Sequence, residues 1–476
     1  MSDLTRLSAA EMADRIRRKL ISPVELIRAH FERIHDLNRR LNAFVALDEE
    51  RANIQAQLAE SAVMREEPLG ALHGVPISIK SSIDVEGLCC EAGTLLRKGN
   101  IAAVDAPLVS RLRAAGAIVL GVTNTPELLM AWETDNLLYG RTNNPWDLTR
   151  TAGGSSGGES AAIAAGLSAG GVGSDGGGSI RVPAHFTGIC GLKPTPGRVP
   201  STGHFPASGG PFAFLGVVGP MARTIADIQL LFEAMAGPDD GDPSSAPVAI
   251  RPVDDDQLKK IRVGWFEDDG RTPVTPETRN GIRVAARHLE TAGLPVAPFR
   301  PDGLETARHL WWQFFGIAGG MLLGPMLEGH EPDISPVLKE FNDWVAQEPR
   351  HTGDSLLATW MGRDELRSKI LSQMKAFPVL LCPVAAIPAF HHREREWVVE
   401  GKKVKYLDAW SYTEWFNLLG FPAAVVPMGE SPEGLPIGVQ IVGRPWEEEM
   451  VLAVARRLEE QRGPFPSPPL APETLA

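Results

Sequence analysis

From about residue 70 onward, short apolar runs alternate with helix-like segments across Gly/Pro-rich turns, and this alternation constrains the fold more than any other feature of the chain. Val75–Ile79, Ala117–Val122, Ile261–Phe266, Val379–Leu381, Ala423–Val426 and Gly438–Val442 read as strands. Pro107–Ala115, Gly158–Gly166, Pro276–Ala292 and Glu448–Glu460 read as helices. The pattern predicts α/β architecture. Two helices are expected ahead of it. Ser8 stands three residues before Glu11, a capping-box spacing, with Met12, Ile16 and Leu20 at helical intervals. Ser22–Pro23–Val24–Glu25 opens a second, with Leu26, Ile27, Phe31 and Ile34 as its apolar stripe. Residues 301–376 also read as helical and are dense in aromatics: Trp311, Trp312, Phe314, Phe315, Phe341, Trp344 and Trp360.

A chain of 476 residues has room for about three domains at roughly 150 residues each. That prior is broken by large single α/β domains, and one compact domain is the expectation. Residues 1–65 form helices packing on the core, and 66–235 carry the chemistry. Residues 236–260 form a Pro/Asp-rich loop. Residues 261–465 complete the α/β core, with 301–376 as a pocket wall or lid.

Net charge of −12 and the lack of a Lys/Arg block argue against binding nucleic acid or an anionic membrane. The four cysteines, Cys89, Cys90, Cys190 and Cys382, fit no zinc spacing, and so few in a long chain suit a reducing cytosol. The first ten residues lack a signal-peptide pattern, and no uninterrupted apolar run approaches the ~18 residues of a membrane span. The expectation is a cytoplasmic monomer or homodimer that needs no metal or cofactor.

Glycine is dense between 153 and 191. Gly153–Gly154–Ser155–Ser156–Gly157–Gly158 is followed by Ser174–Asp175–Gly176–Gly177–Gly178–Ser179–Ile180–Arg181. Consecutive free N–H groups beside a serine are what an oxyanion hole requires, because the charge developing on an attacked carbonyl must find donors in place. A serine nucleophile also needs a base. No histidine lies in these runs; His185 and His204 read as packing or pocket residues. Lys80 closes the strand-like run of His73–Gly74–Val75–Pro76–Ile77–Ser78–Ile79–Lys80. A lysine there is ordinarily a solvated charge, but drawn into a buried site it loses its proton readily and becomes a general base.

These strings together resemble the amidase-signature family from about residue 5 to 460. They are GVPISIKSSIDVEG, TNTPEL, YGRTNNPWD, GGSSGGESAA, GVGSDGGGSIRVPAHFTGICGLKPTPGRVP, VVGPMART and GLPIGVQIVGRP. The look is that of fatty-acid-amide-hydrolase-type and bacterial aryl-amidase or urethanase members. The resemblance implies a large twisted mixed β-sheet covered by helices on both faces. It implies a Ser–cis-Ser–Lys triad in which Lys80 is the base, Ser155 the relay with a cis peptide bond, and Ser179 the nucleophile. The oxyanion would be held by Gly176, Gly177, Gly178 and Ser179, and Asp175 and Arg181 would brace the loop. Position 176 is Gly where many members carry Thr or Ile. Leu129, Met130, Trp132 and Glu133 would line the acyl side of the pocket, and His204, Phe205 and Phe212 would face substrate. The implied reaction is hydrolysis of uncharged, rather hydrophobic small-molecule amides, with carbamates and esters in reach of the same acyl chemistry.

Other readings of the same strings stay open at this level. Gly153–Gly157 satisfies G-x-S-x-G, which in an α/β-hydrolase would make Ser155 the nucleophile with His391 or His392 as partner. Gly171–Gly176 satisfies G-x-G-x-x-G, without the acid about 20 residues on that dinucleotide binding requires. Family relatives also serve as the amidase component of a transfer-RNA amidotransferase. A cysteine nucleophile at Cys190 is disfavoured by its apolar surroundings.

Overall fold

The computed structural model describes residues 3–207 and 209–470. In chain order its strands are β1 (Phe44–Leu47), β2 (Pro76–Lys80), β3 (Ile118–Thr123), β4 (Gly170–Asp175), β5 (Cys190–Lys193), β6 (Val217–Ala222), β7 (Val263–Trp265), β8 (Val296–Pro298), β9 (Val379–Pro383), β10 (Glu396–Val399), β11 (Lys402–Lys405), β12 (Ala423–Glu430) and β13 (Pro436–Val442). Eleven form one mixed sheet in the order β1-β3-β2-β4-β6-β5-β12-β13-β9-β7-β8, and β10 and β11 make a separate hairpin. Strand β2 runs parallel to both β3 and β4, whereas β4 and β6 pair antiparallel.

Both faces of the sheet are covered, so its strands carry apolar residues on both sides. Val379 and Leu381 join one core, shared with helices Pro276–Thr291 and Glu448–Arg462. Leu380 and Cys382, on the opposite face, join a second core rich in aromatics, including Trp311, Trp410 and Trp415. This is the α/β architecture expected from the alternation.

The N-terminal helices are α1 (Ala9–Arg17) and α2 (Pro23–Leu41), with the Ser8–Glu11 capping box closed and the Ser22 side chain accepting from Val24 and Glu25 N–H groups. Leu20, expected on the first stripe, lies beyond the end of α1 and is exposed. The sequence reading lacked β1 and a third helix, α3 (Glu49–Met64). Strand β1 pairs antiparallel with β3, so the N-terminal segment supplies the sheet's edge as well as a helical layer. Residues 301–376 are helical, chiefly Ala307–Trp312, Gly319–Leu327, Pro336–Ala346 and Gly353–Gln373, with a π-helical turn at Gln313–Ala318. The run Leu304–Leu327 is long and apolar enough to cross a membrane by length and composition, although no continuous run stood out in the sequence; half of its most apolar window is buried inside the protein.

Strand β4 has the sequence GGVGSD, poor in β-formers, and was not foreseen. Its glycines follow from what packs on it. A Cβ on Gly171 would stand 2.0 Å from Glu159 Oε1 and 2.2 Å from Ser78 O, and one on Gly173 2.7 Å from Ser156 Oγ. Glu159 belongs to helix α5 (Gly157–Ala164), the helix after α4 (Pro107–Ala114), and α5 lies directly against the strand because no side chains intervene. The G-x-G-x-x-G run therefore lies in a strand as far as Asp175, with Gly176 just past its end, and is not the turn that opens a dinucleotide-binding helix.

Candidate active site

Because β2 and β4 are parallel, with Ile79 beside Val172, both carry their last residues to one end of the sheet. Lys80 ends β2, and Ser174 and Asp175 end β4. The loop that precedes α5 brings Ser155 and Ser156 to the same place. The resulting side chains are fully buried around one amine. Lys80 Nζ lies 2.5 Å from Ser155 Oγ, 3.1 Å from Ser156 Oγ and 3.0 Å from Ser174 Oγ. Burial pushes the Lys80 pKa well below its ordinary value, against the opposing pull of Asp175 and Glu159. A neutral amine has two N–H donors and one lone pair, which matches three hydroxyl partners. The Ser156 hydroxyl already donates to Ser174 O, so it can only accept from the lysine.

The peptide bond between Gly154 and Ser155 is cis, as the resemblance implied. Ser155 is fixed on its backbone side too: Thr125 Oγ1 donates to Ser155 O at 2.8 Å. Gly154 sits hard against the backbone of Ala131 and Glu133, where a Cβ would come within 2.7 Å of both. Glu159 joins β2, β3 and α5 by accepting from Ser78 Oγ and Thr123 Oγ1. Burial raises its carboxyl pKa to about 7 in spite of those donors and of Lys80. Neither Ser174 nor Glu159 was singled out from the sequence. The signal available was only their membership of the Gly/Ser strings.

Ser179 follows the glycine loop and lines the same cavity as Ser155 and Ser174. Asp175 organises this loop: its Oδ1 accepts from Gly178 N–H at 2.7 Å, its Oδ2 from Ile180 N–H at 3.1 Å, and Arg181 Nε donates to Oδ2 at 3.0 Å. Burial alone would raise the Asp175 pKa, but Arg181, then Lys193 and Asn417, outweigh it and hold the carboxyl well below the usual range. Arg181 continues the network to Asn417 Oδ1 and Gln440 Oε1. Asp175 and Arg181, expected to brace the loop, are paired by two hydrogen bonds from Arg181 Nε and Nη2. One oxyanion expectation is corrected: the Gly178 N–H is already spent on Asp175. Among the described residues no protein acceptor takes the N–H groups of Gly176, Gly177 or Ser179.

Above the serines the cavity is apolar, with Leu128, Leu129, Met130, Phe212 and Phe315 on its walls and His204 and Pro206 beside them. The space between its walls, open solvent at the mouth included, is about 510 Å³. Leu129, Met130, His204 and Phe212, expected to face substrate, line this cavity. Phe205 does not: it packs behind the wall with Leu128 and Phe212, its ring 3.8 Å beneath the Arg97 guanidinium. Trp132 and Glu133 do not line the cavity either. Trp132 is turned into an aromatic cluster with Trp311, Tyr406 and Trp410, and its Nε1 donates to Gly177 O. Glu133 is buried against Arg395, whose Nη2 donates to it at 2.6 Å. An indole and a carboxylate each found a polar partner behind the loop, which local sequence does not reveal.

Among the described residues no histidine hydrogen-bonds Lys80, Ser155, Ser174 or Ser179; His204 lines the cavity with its Nε2 facing Ser82 Oγ at 3.4 Å. His185 is buried, taking the Gly438 N–H on Nδ1 with Nε2 facing Ile387 O, and burial lowers its pKa to about 4. His391 bonds at the surface with Thr149, and His392 lies among Arg141, Leu148 and Asp135, so neither candidate histidine pairs with Ser155. Burial pushes the Cys190 thiol well up, which removes it as a nucleophile.

The family described as amidase matches residues 25–452 of this chain. The chain is 35% identical to an acylamidase of Rhodococcus erythropolis over 96% of this chain and 95% of that one. It is 32% identical to a glutamyl-tRNA(Gln) amidotransferase component of Anaeromyxobacter sp. (strain K), over 98% of both. Among solved structures, a bacterial aryl acylamidase of the amidase-signature enzymes superposes with a TM-score of 0.84 at 28% identity, covering 96% of each chain.

Proposed function

Because this chain belongs to the amidase family, and so is a hydrolase acting on carbon–nitrogen bonds, we propose that its substrates are uncharged, rather hydrophobic aryl or acyl amides. Carbamates and esters are within reach of the same acyl chemistry. The observation that carries this reading is a buried amine 2.5 Å from Ser155 Oγ, with Ser155 and Ser179 both lining one apolar cavity. In the proposed mechanism neutral Lys80 takes a proton from Ser155 and Ser155 takes one from Ser179, which attacks the carbonyl. The oxyanion is held by N–H groups of the glycine loop. The relay returns the proton to the leaving amine, and water then cleaves the acyl-enzyme. Leu129, Met130 and Phe315 suit an apolar acyl or aryl group.

The test is a panel of acyl anilides, primary amides, carbamates and esters of graded length, assayed with the purified chain and with Ser179→Ala. Apolar anilides should be preferred, and the variant should lose at least about a thousandfold in kcat. Full activity in Ser179→Ala would overturn the assignment of the nucleophile. Similarity to an amidotransferase component supports a second reading, in which the chain works only with a partner. Turnover of an anilide by the single chain without ATP rejects it.

A further inference from the structure

The peptide planes of the glycine loop are held from behind by two tryptophans. Trp311 Nε1 donates to Gly176 O at 2.9 Å, and Trp132 Nε1 donates to Gly177 O at 2.9 Å. Thr413 Oγ1 lies 3.0 Å from the same Gly177 O. The rings also press on the loop. A Cβ on Gly177 would stand 2.5 Å from Trp311 Cζ2, which explains why this position has no side chain. Trp311 and Trp132 are almost wholly buried, with ring centroids 5.9 Å apart, so each ring buttresses the other.

In a trans peptide the C=O of one residue and the N–H of the next point in opposite directions within one plane. Pinning Gly176 O to Trp311 therefore aims the Gly177 N–H away from that ring, and this N–H has no protein acceptor among the described residues. Pinning Gly177 O to Trp132 fixes the next plane, whose Gly178 N–H is handed to Asp175. The two indoles thus sort successive donors: one is left free, the next is committed to bracing. A donor on a peptide oxygen also polarises the N–H of the same peptide, making it the better hydrogen-bond donor.

We propose that Trp311 and Trp132 are positioning residues for the oxyanion hole, acting through their indole N–H groups on the Gly176 and Gly177 carbonyls. This rests on Ser179 being the nucleophile. They touch no reacting atom, so their effect belongs to the charged tetrahedral state and not to binding of the neutral amide.

The experiment compares W311F and W132F, which keep a ring and remove the N–H, with the parent. It measures kcat and KM for an anilide, affinity for a trifluoromethyl ketone whose adduct with serine carries the oxyanion, and the thermal midpoint. W311F should lose about tenfold in kcat, with KM changed by less than about twofold and ketone affinity down by the same factor as kcat. W132F should act in the same direction. An unchanged kcat in W311F overturns the proposal, as does a fall in kcat with ketone affinity intact, which would mark a merely structural role. Should W311F not fold, the same criteria applied to W132F decide. Failure of the underlying reading is separate: there Ser179→Ala retains activity, or the parent does not bind the ketone.

Discussion

Lys80 does its proposed work only as a free amine, and nothing in its covalent structure makes it one. Its ordinary pKa of 10.5 would leave it charged at neutral pH; burial is what lowers it. The rate should therefore rise with pH as this group loses its proton and level off above, and kcat/KM against pH checks it. Lys80→Met, of similar length but without a lone pair, should lose at least about a hundredfold in kcat. A pH profile that falls where Lys80 deprotonates would remove the lysine from the base role. The residue scale also shows where sequence was readable. Lys80, Ser155 and Ser179 stand out because their residue types and strings are distinctive. The resemblance puts Trp132 and Glu133 in the pocket, yet their polar atoms turn away to Gly177 O and Arg395.

At the scale of elements, β2, β3, β4 and α5 act together through Glu159. Its carboxyl accepts from Ser78 on β2 and Thr123 on β3 while its helix lies on the glycines of β4. Burial raises its pKa to about 7, above the roughly 4.3 of an unfolded glutamate. Between those values the folded chain binds more protons than the unfolded one. The stability contributed is full below about pH 4.3 and is lost as pH rises through about 7. Glu159→Gln removes this titration, so its stability relative to the parent should increase across that window, as read by urea unfolding at several pH values. A difference independent of pH would show that Glu159 does not titrate there. Because Glu159 also helps Lys80 hold its proton, the same variant should shift the acid limb of the rate profile to lower pH. Strand β4 was missed from sequence for the reason that makes it work: glycines that weaken a strand in isolation admit a helix and a carboxylate at contact distance.

Across the whole molecule the site draws on distant stretches of chain. Lys80 meets Ser155 and Ser174 across 75 and 94 residues, and Asn417 reaches Asp175 across 242. The N-terminal segment is also built in. Strand β1 pairs with β3, and Ile27, Phe31 and Ile34 share a core with Ile118, Leu120 and Ala161. Deleting residues 1–65 would strip that edge and open that core. The truncated chain should fail to give a cooperative thermal transition by circular dichroism, and a stable, active remainder would show that the segment is a separable layer.

The sequence by itself determined the alternation that makes an α/β sheet, the caps that start the first helices, and the inventory of reactive groups with their spacing. These depend on local periodicity and residue chemistry, which are written along the chain. Only the tertiary structure decided that the lysine is stripped of water, that Gly178 spends its N–H on Asp175 while Gly177 keeps its own free, and that two tryptophans stand behind the loop and not in the pocket. Desolvation and hydrogen-bond partnership are properties of neighbours in space, and Lys80, Trp132 and Trp311 find theirs 45 to 135 residues away along the chain.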